Sequence, residues 1–131
     1  MTSSVTFKRI SPMLAVADLT ATVAFYREVL GFEPVLETDG YAVVERDGQS
    51  LHFQRADSEE VLQAVRGHTE FYLEVRGIRA LWASVQGFKG RWRIRDLFDR
   101  DYGMTEFHIE DPNGCLVFVG EPTASANSTP N

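Results

Sequence analysis

Twice along this chain an alternating strand-like run leads into a helical stripe that stops at Gly-Phe, and each time three short strand-like runs follow. In the first half, residues 9–17 read as a strand, with Leu14 and Val16 alternating with Met13 and Ala15. Asp18 is a good N-cap, and Leu19, Val23, Tyr26 and Leu30 then recur at helical spacing until Gly31-Phe32. Strands are predicted at 32–37, 41–46 and 50–55, with tight turns at Asp39-Gly40 and Asp47-Gly48. In the second half, Glu70 to Val75 alternates as a strand. Ile78, Leu81, Trp82 and Val85 form a helical stripe that stops at Gly87-Phe88. Strands are predicted at 91–97, 104–110 and 115–120, with a turn at Asp111-Pro112-Asn113-Gly114. A doubled β-α-β-β-β order is an α+β pattern: two βαβββ modules forming curved mixed sheets.

The boundaries that follow are 1–56 for the first module, 57–68 for a polar helical linker and 69–121 for the second module. Residues 122–131, rich in Ser, Thr, Asn and Pro, are expected to be a disordered tail. At 131 residues with 44% apolar content, the chain suits one compact unit or two small joined ones. The formal charge of −6 argues against a nucleic-acid partner, which calls for a basic surface. Arg91, Arg93 and Arg95 alternate along one segment and read as a solvated strand face. One cysteine, Cys115, excludes an internal disulfide and fits a reducing compartment; it reads as a buried filler with no base beside it. No apolar run approaches the ~18 residues of a membrane helix, and the N-terminus lacks the layout of a secretory signal. A cytoplasmic protein without a membrane partner is expected.

Two stretches carry a family likeness. One runs from Pro12-Met13-Leu14-Ala15-Val16-Ala17-Asp18-Leu19 through Ala24-Phe25-Tyr26 to Leu30-Gly31-Phe32. The other runs from Tyr102-Gly103-Met104-Thr105-Glu106-Phe107 to Asp111-Pro112-Asn113-Gly114. With the doubled βαβββ order, residues 8–121 resemble the glyoxalase/bleomycin-resistance/dioxygenase (vicinal oxygen chelate) superfamily. Within it the chain is most similar to the bleomycin-resistance binding proteins, because Pro12-Met13-Leu14 stands where many metal enzymes carry a histidine. That resemblance implies a homodimer that sequesters a small-molecule ligand, such as a bleomycin-like antibiotic, in grooves between subunits, with binding rather than catalysis giving resistance. It also implies that the four metal-ligand positions of the enzymes correspond to Ser11, His52, Glu70 and Phe118. Phenylalanine cannot ligate and serine is a poor ligand, so two of four donors are left and no cofactor is expected. The competing readings are a divalent-metal lyase, isomerase or dioxygenase, and a metal-free enzyme using His52 with Glu70 as an acid–base pair.

Strand alternation supplies the candidate site. If Leu51 and Phe53 pack on the helices, His52 and Gln54 face the concave side; likewise Glu70 and Tyr72, Glu106 and His108, and Phe118. Tyr41, Trp92 and Tyr102 are candidate stacking walls, and Tyr102 matches the aromatic before the glycine in the family's second motif. For each polar member the plainer reading stands beside this one. His52 also reads as a histidine bonded within the sheet, and Glu70 as a solvent-facing charge. The expected ligand is a cationic or aromatic antibiotic, drawn by acids and held by rings.

Overall fold

The computed structural model describes residues 4–123; the tail predicted from 122 falls, from 124 on, outside the described residues. Strand β1 (Met13–Val16) leads into helix α1 (Leu19–Leu30), followed by β2 (Glu33–Glu37), β3 (Tyr41–Arg46) and β4 (Gln49–Arg55). A short helix α2 (Glu59–Val65) connects to β5 (Glu70–Glu74) and α3 (Ile78–Val85). Strands β6 (Phe98–Asp99), β7 (Met104–Glu110) and β8 (Leu116–Pro122) complete the order. Each half makes one four-stranded mixed sheet, ordered β1-β4-β3-β2 in the first and β5-β8-β7-β6 in the second. The first strand of each runs parallel to the last, and the other pairings are antiparallel. This is the α+β arrangement the doubled pattern predicts.

Local chemistry explains the helix ends. Asp18 accepts the Ala21 N–H at 3.0 Å, satisfying one of the unpaired donors of the first turn of α1. At the other end Gly31 takes φ 71°, and Arg46 donates to the Leu30 carbonyl at 2.7 Å. A side chain on Gly31 would strain that backbone and stand 2.8 Å from the same guanidinium nitrogen. Helix α3 begins at Gly77, which has no capping side chain. Glu121 of β8 substitutes for it, accepting the Gly77 and Ile78 N–H groups at 3.1 Å each.

The two halves share one core. Leu14, Val16, Val23, Phe25, Tyr26, Leu30 and Phe53 from the first pack in the same cluster as Ile78, Val85, Phe107, Ile109, Val117 and Val119 from the second. The Asp111 to Gly114 turn is the polar clasp between them. Asp111 accepts from the Tyr26 hydroxyl at 2.7 Å and from the N–H groups of Asn113 and Cys115. Asn113 accepts the Ala17 N–H at 3.0 Å and donates to Thr22 at 3.0 Å. Burial lifts the Asp111 carboxyl above its ordinary range despite these bonds, and lifts the Tyr26 phenol as well.

Two predicted strands are shorter than expected. The 9–17 run pairs only from Met13, because Pro12 lacks an N–H and contributes its carbonyl alone, accepting from His52 N–H at 3.0 Å. The 91–97 run is not a continuous strand. It meets β7 through an isolated bridge, Ile94↔Ile109, and regular pairing resumes only at Phe98↔Glu106. Between those pairs the register slips by one residue, a bulge that leaves both Ile94 and Leu97 at the core's edge and swings Phe98 to the opposite face.

Candidate functional site

The face of the second sheet turned away from the helices carries one ring from each strand. Register sets Tyr72 beside Phe118 and Phe118 beside His108, while Phe98 pairs with Glu106 on the same face. The rings touch in succession: Tyr72 and Phe118 stack with centroids 6.3 Å apart, Phe118 and His108 lie at 4.1 Å, and His108 and Phe98 meet edge to face at 5.3 Å. The Tyr72–Phe118 and His108–Phe98 separations lie in the range where aromatic pairs attract, and Phe118 and His108 sit closer still. The row thus crosses all four strands without a break.

Glu106 ties this row together from beneath. It is fully buried, and its carboxylate accepts from the Tyr72 hydroxyl at 2.8 Å, the Tyr102 hydroxyl at 2.6 Å and His108 Nε2 at 3.1 Å. Burial alone raises this carboxyl, but the bonds from Tyr102, His108 and Tyr72 outweigh it and hold Glu106 below its ordinary range. An ionised carboxylate has no proton to give, so the His108 proton sits on Nε2. The partners shift reciprocally: the bond to Glu106 raises the Tyr102 phenol, and burial together with Glu106 raises that of Tyr72. The two tyrosines are 45% and 56% exposed, so their rings stay open to solvent while their hydroxyls are anchored.

Two guanidinium groups edge the far end of the row. Arg95 lies 4.6 Å from the Phe98 ring centroid, and Arg100 lies 5.3 Å from Phe98 and 5.1 Å from Tyr102. At the opposite end, Glu70 and Glu74 flank Tyr72 on the edge strand β5, both exposed.

The first sheet carries a smaller polar group on its corresponding face. The Tyr41 hydroxyl and His52 Nδ1 are 2.6 Å apart, Gln54 pairs with Tyr41 in register, and the Ser11 and Ser50 hydroxyls bond to each other. Leu51 and Phe53 are buried against the helix, so the alternation expected of β4 holds. The structure therefore gathers the candidate residues into two groups: Tyr72, Tyr102, Glu106, His108 and Phe118 on one sheet, and Ser11, Tyr41, His52 and Gln54 on the other. Trp92 joins neither. Its ring packs edge-on against Phe25 of α1 at 4.9 Å, at the edge of the core, from a turn in which its N–H donates to the Phe88 carbonyl. Phe98, Arg95 and Arg100 were missed by reading the sequence. A regular strand over 91–97 puts Arg95 on a plain solvated face, and only the one-residue slip brings it over Phe98.

The donors do not fit a divalent metal. Ser11 is bonded to Ser50, His52 faces Tyr41, and Phe118 is apolar. Among the described residues no group of three or more His, Cys, Asp or Glu is placed to hold an ion. Also among the described residues, no helix is long and apolar enough to cross a membrane.

No curated protein matches the sequence significantly. Solved structures do match it. A bleomycin resistance determinant encoded on transposon Tn5 superposes with a TM-score of 0.75 at 20% identity, over 89% of this chain and 99% of that one. TnmS3, an antibiotic binding protein from Streptomyces sp. CB03234, gives 0.72 at 17% identity, over 93% and 100%. A bleomycin-binding protein from bleomycin-producing Streptomyces verticillus, complexed with copper(II)-bleomycin, gives 0.74 at 26% identity, over 88% and 96%. The sequence profile of one family matches residues 8–119, and by that match the chain belongs to the Glyoxalase/Bleomycin resistance protein/Dioxygenase superfamily.

Proposed function

We propose that this chain is a binding protein that sequesters an aromatic small molecule of the antibiotic class, without metal and without turning it over. The row Tyr72–Phe118–His108–Phe98 carries the reading, since an unbroken run of rings tilted against one another offers ring edges and faces against which a ligand's aromatic ring packs. Its polar groups support binding over chemistry. Glu106 is saturated by three donors and the phenols of Tyr72 and Tyr102 are pushed upward, so neither that carboxylate nor those phenols are poised to exchange a proton with a ligand. Structural neighbours that bind bleomycin and other antibiotics give the ligand class its support.

The groove is completed by a second copy of the chain. Strands β1 and β5 are both sheet edges, and an edge left open is a template for pairing. Phe7 and Ile10 are each 93% exposed just ahead of β1, and Met13 on β1 and Tyr72 on β5 are also exposed. Docking β1 and its preceding arm along the partner's second sheet covers these side chains and sets Tyr41 and His52 of one chain opposite the ring row of the other. The dimer works in the cytoplasm, where the single cysteine stays reduced.

Titration of the purified full chain with cationic, neutral and anionic aromatic antibiotics, followed by intrinsic fluorescence and then by chromatography of the ligand, tests the reading. Saturable quenching with the ligand recovered unchanged supports it; accumulation of a converted product overturns it.

A further inference from the structure

We infer that the ring row selects aromatic ligands bearing an anionic group, which docks on Arg95 and Arg100; this rests on the proposed ligand-binding role of the row and specifies the ligand's charge. The acids and bases near the row are not equivalent. Glu106 lies beneath the rings with both oxygens already accepting hydrogen bonds, so it offers an approaching cation no open acceptor face. Glu70 and Glu74 stand at the β5 edge, the side on which the proposed partner chain packs. The β6 end is different. Among the described residues, neither Arg95 nor Arg100 has an ion-pair partner, whereas Arg91 is paired with Glu28 and Arg93 with Glu110. Of the neighbouring acids, Asp96 is ion-paired with Lys89, while Asp99 keeps its charge and accepts from the Thr105 hydroxyl at 2.7 Å. Asp101 stays exposed in the turn that follows.

Both guanidinium groups rest on rings. The Arg95 backbone N–H donates to the His108 carbonyl at 2.8 Å, and its guanidinium lies over Phe98. Arg100 donates its N–H to the Met104 carbonyl at 2.7 Å, and its head contacts both Phe98 and Tyr102. A guanidinium lying over a ring keeps its N–H edge free for a planar anion and loses less freedom on binding than a solvated one. A ligand ring against Phe118, beside the largely covered His108, therefore extends its substituent toward the two cations at the Phe98 end of the row. A carboxylate or sulfonate suits that position; an ammonium is repelled there.

The test is calorimetric titration of the full chain at fixed ionic strength with three probes of one shape: naphthalenesulfonate, naphthylmethanol and naphthylmethylammonium. The sulfonate is expected to bind at least about tenfold more tightly than the alcohol, the scale of one charge-assisted hydrogen bond, and the ammonium more weakly than either. In an Arg95→Gln/Arg100→Gln variant with an unchanged melting curve, the advantage of the sulfonate over the alcohol disappears; the double Lys variant recovers part of it. Equal affinity for all three probes, or preference for the ammonium, overturns the charge assignment while leaving the platform standing. If none of the three binds, or if Phe118→Ala leaves every affinity unchanged, the platform itself fails and the assignment falls with it.

Discussion

The phenol of Tyr72 lies across Gly120 on the adjacent strand, so near that a Cβ built on Gly120 would stand 2.6 Å from Tyr72 Cζ and closer still to its hydroxyl oxygen. That bare stretch of β8 is the passage by which Tyr72 crosses a strand to reach Glu106 on β7. Gly120→Ala is therefore expected to push Tyr72 off Glu106 and to destabilise the chain by about 1–3 kcal/mol, the usual cost of overpacking. In a Tyr72→Ala background the same change costs much less. A double-mutant cycle by urea denaturation reads the coupling; additive effects contradict the contact.

Glu106 gives the fold a defined acid sensitivity. Its carboxyl is held below its ordinary value of 4.5 in the folded chain, so the stability it contributes is complete above that value. It is lost as pH falls through the lower folded value, because unfolding then takes up a proton. The stability gap between the native chain and Glu106→Gln, measured by urea midpoints, is expected to be widest near neutrality and to narrow below pH 4.5. A gap that widens in acid reverses the sign and contradicts the hydrogen-bond geometry.

Cys115 is 3% exposed, and burial pushes its thiol up to about 12, with Asp111 adding to the effect. A thiolate is the reactive form, so a disulfide reagent at mildly alkaline pH should leave the folded chain untouched and label one thiol per chain once urea unfolds it. Rapid labelling of the native protein would show that this part of the core opens readily.

The clasp between the halves predicts a penalty from a single oxygen. Tyr26→Phe removes the donor that meets Asp111 at 2.7 Å inside the core. The expected loss is about 1.5–3 kcal/mol, the range for a hydrogen bond to a charged partner. Chemical denaturation checks this, and a neutral result places the clasp's strength in Asn113 instead.

Much of this architecture could be read from residue spacing, and the places where it could not share one cause. Helix α1 was legible because Asp18, the Leu19–Leu30 stripe and Gly31 are all local signals. The inward and outward sides of β4, β7 and β8 followed from period-two alternation. Spacing could not reveal the slip between Ile94 and Phe98, which depends on how a segment fits a neighbouring strand. That slip brings Arg95 and Phe98 to the same side. The saturation of Glu106 was hidden for the same reason: its three donors come from β5, from the turn before β7 and from β7 itself. The clasp was half visible, since Asp111 to Gly114 announced a turn but not its seat against α1.

Proposed pairing through β1 has its own check. Light scattering at micromolar concentration should give twice the 14.8 kDa chain mass, and Ile10→Asp with Met13→Asp, both at exposed positions, should shift it to a monomer that melts at lower temperature. A native chain that scatters as a monomer contradicts the shared groove.

The platform itself is tested most directly by mapping where a flat probe lands. Amide correlation spectra of the nitrogen-labelled full chain, recorded while naphthalenesulfonate is added, report every residue at once. The account predicts progressive, saturable shifts concentrated at Tyr72, Phe98, His108 and Phe118 and at their strand neighbours. Shifts centred on Arg79, Trp82 and Lys89, which share a cavity of about 600 Å³ with Phe98, and absent from Tyr72, His108 and Phe118, or no shifts at all, would contradict it.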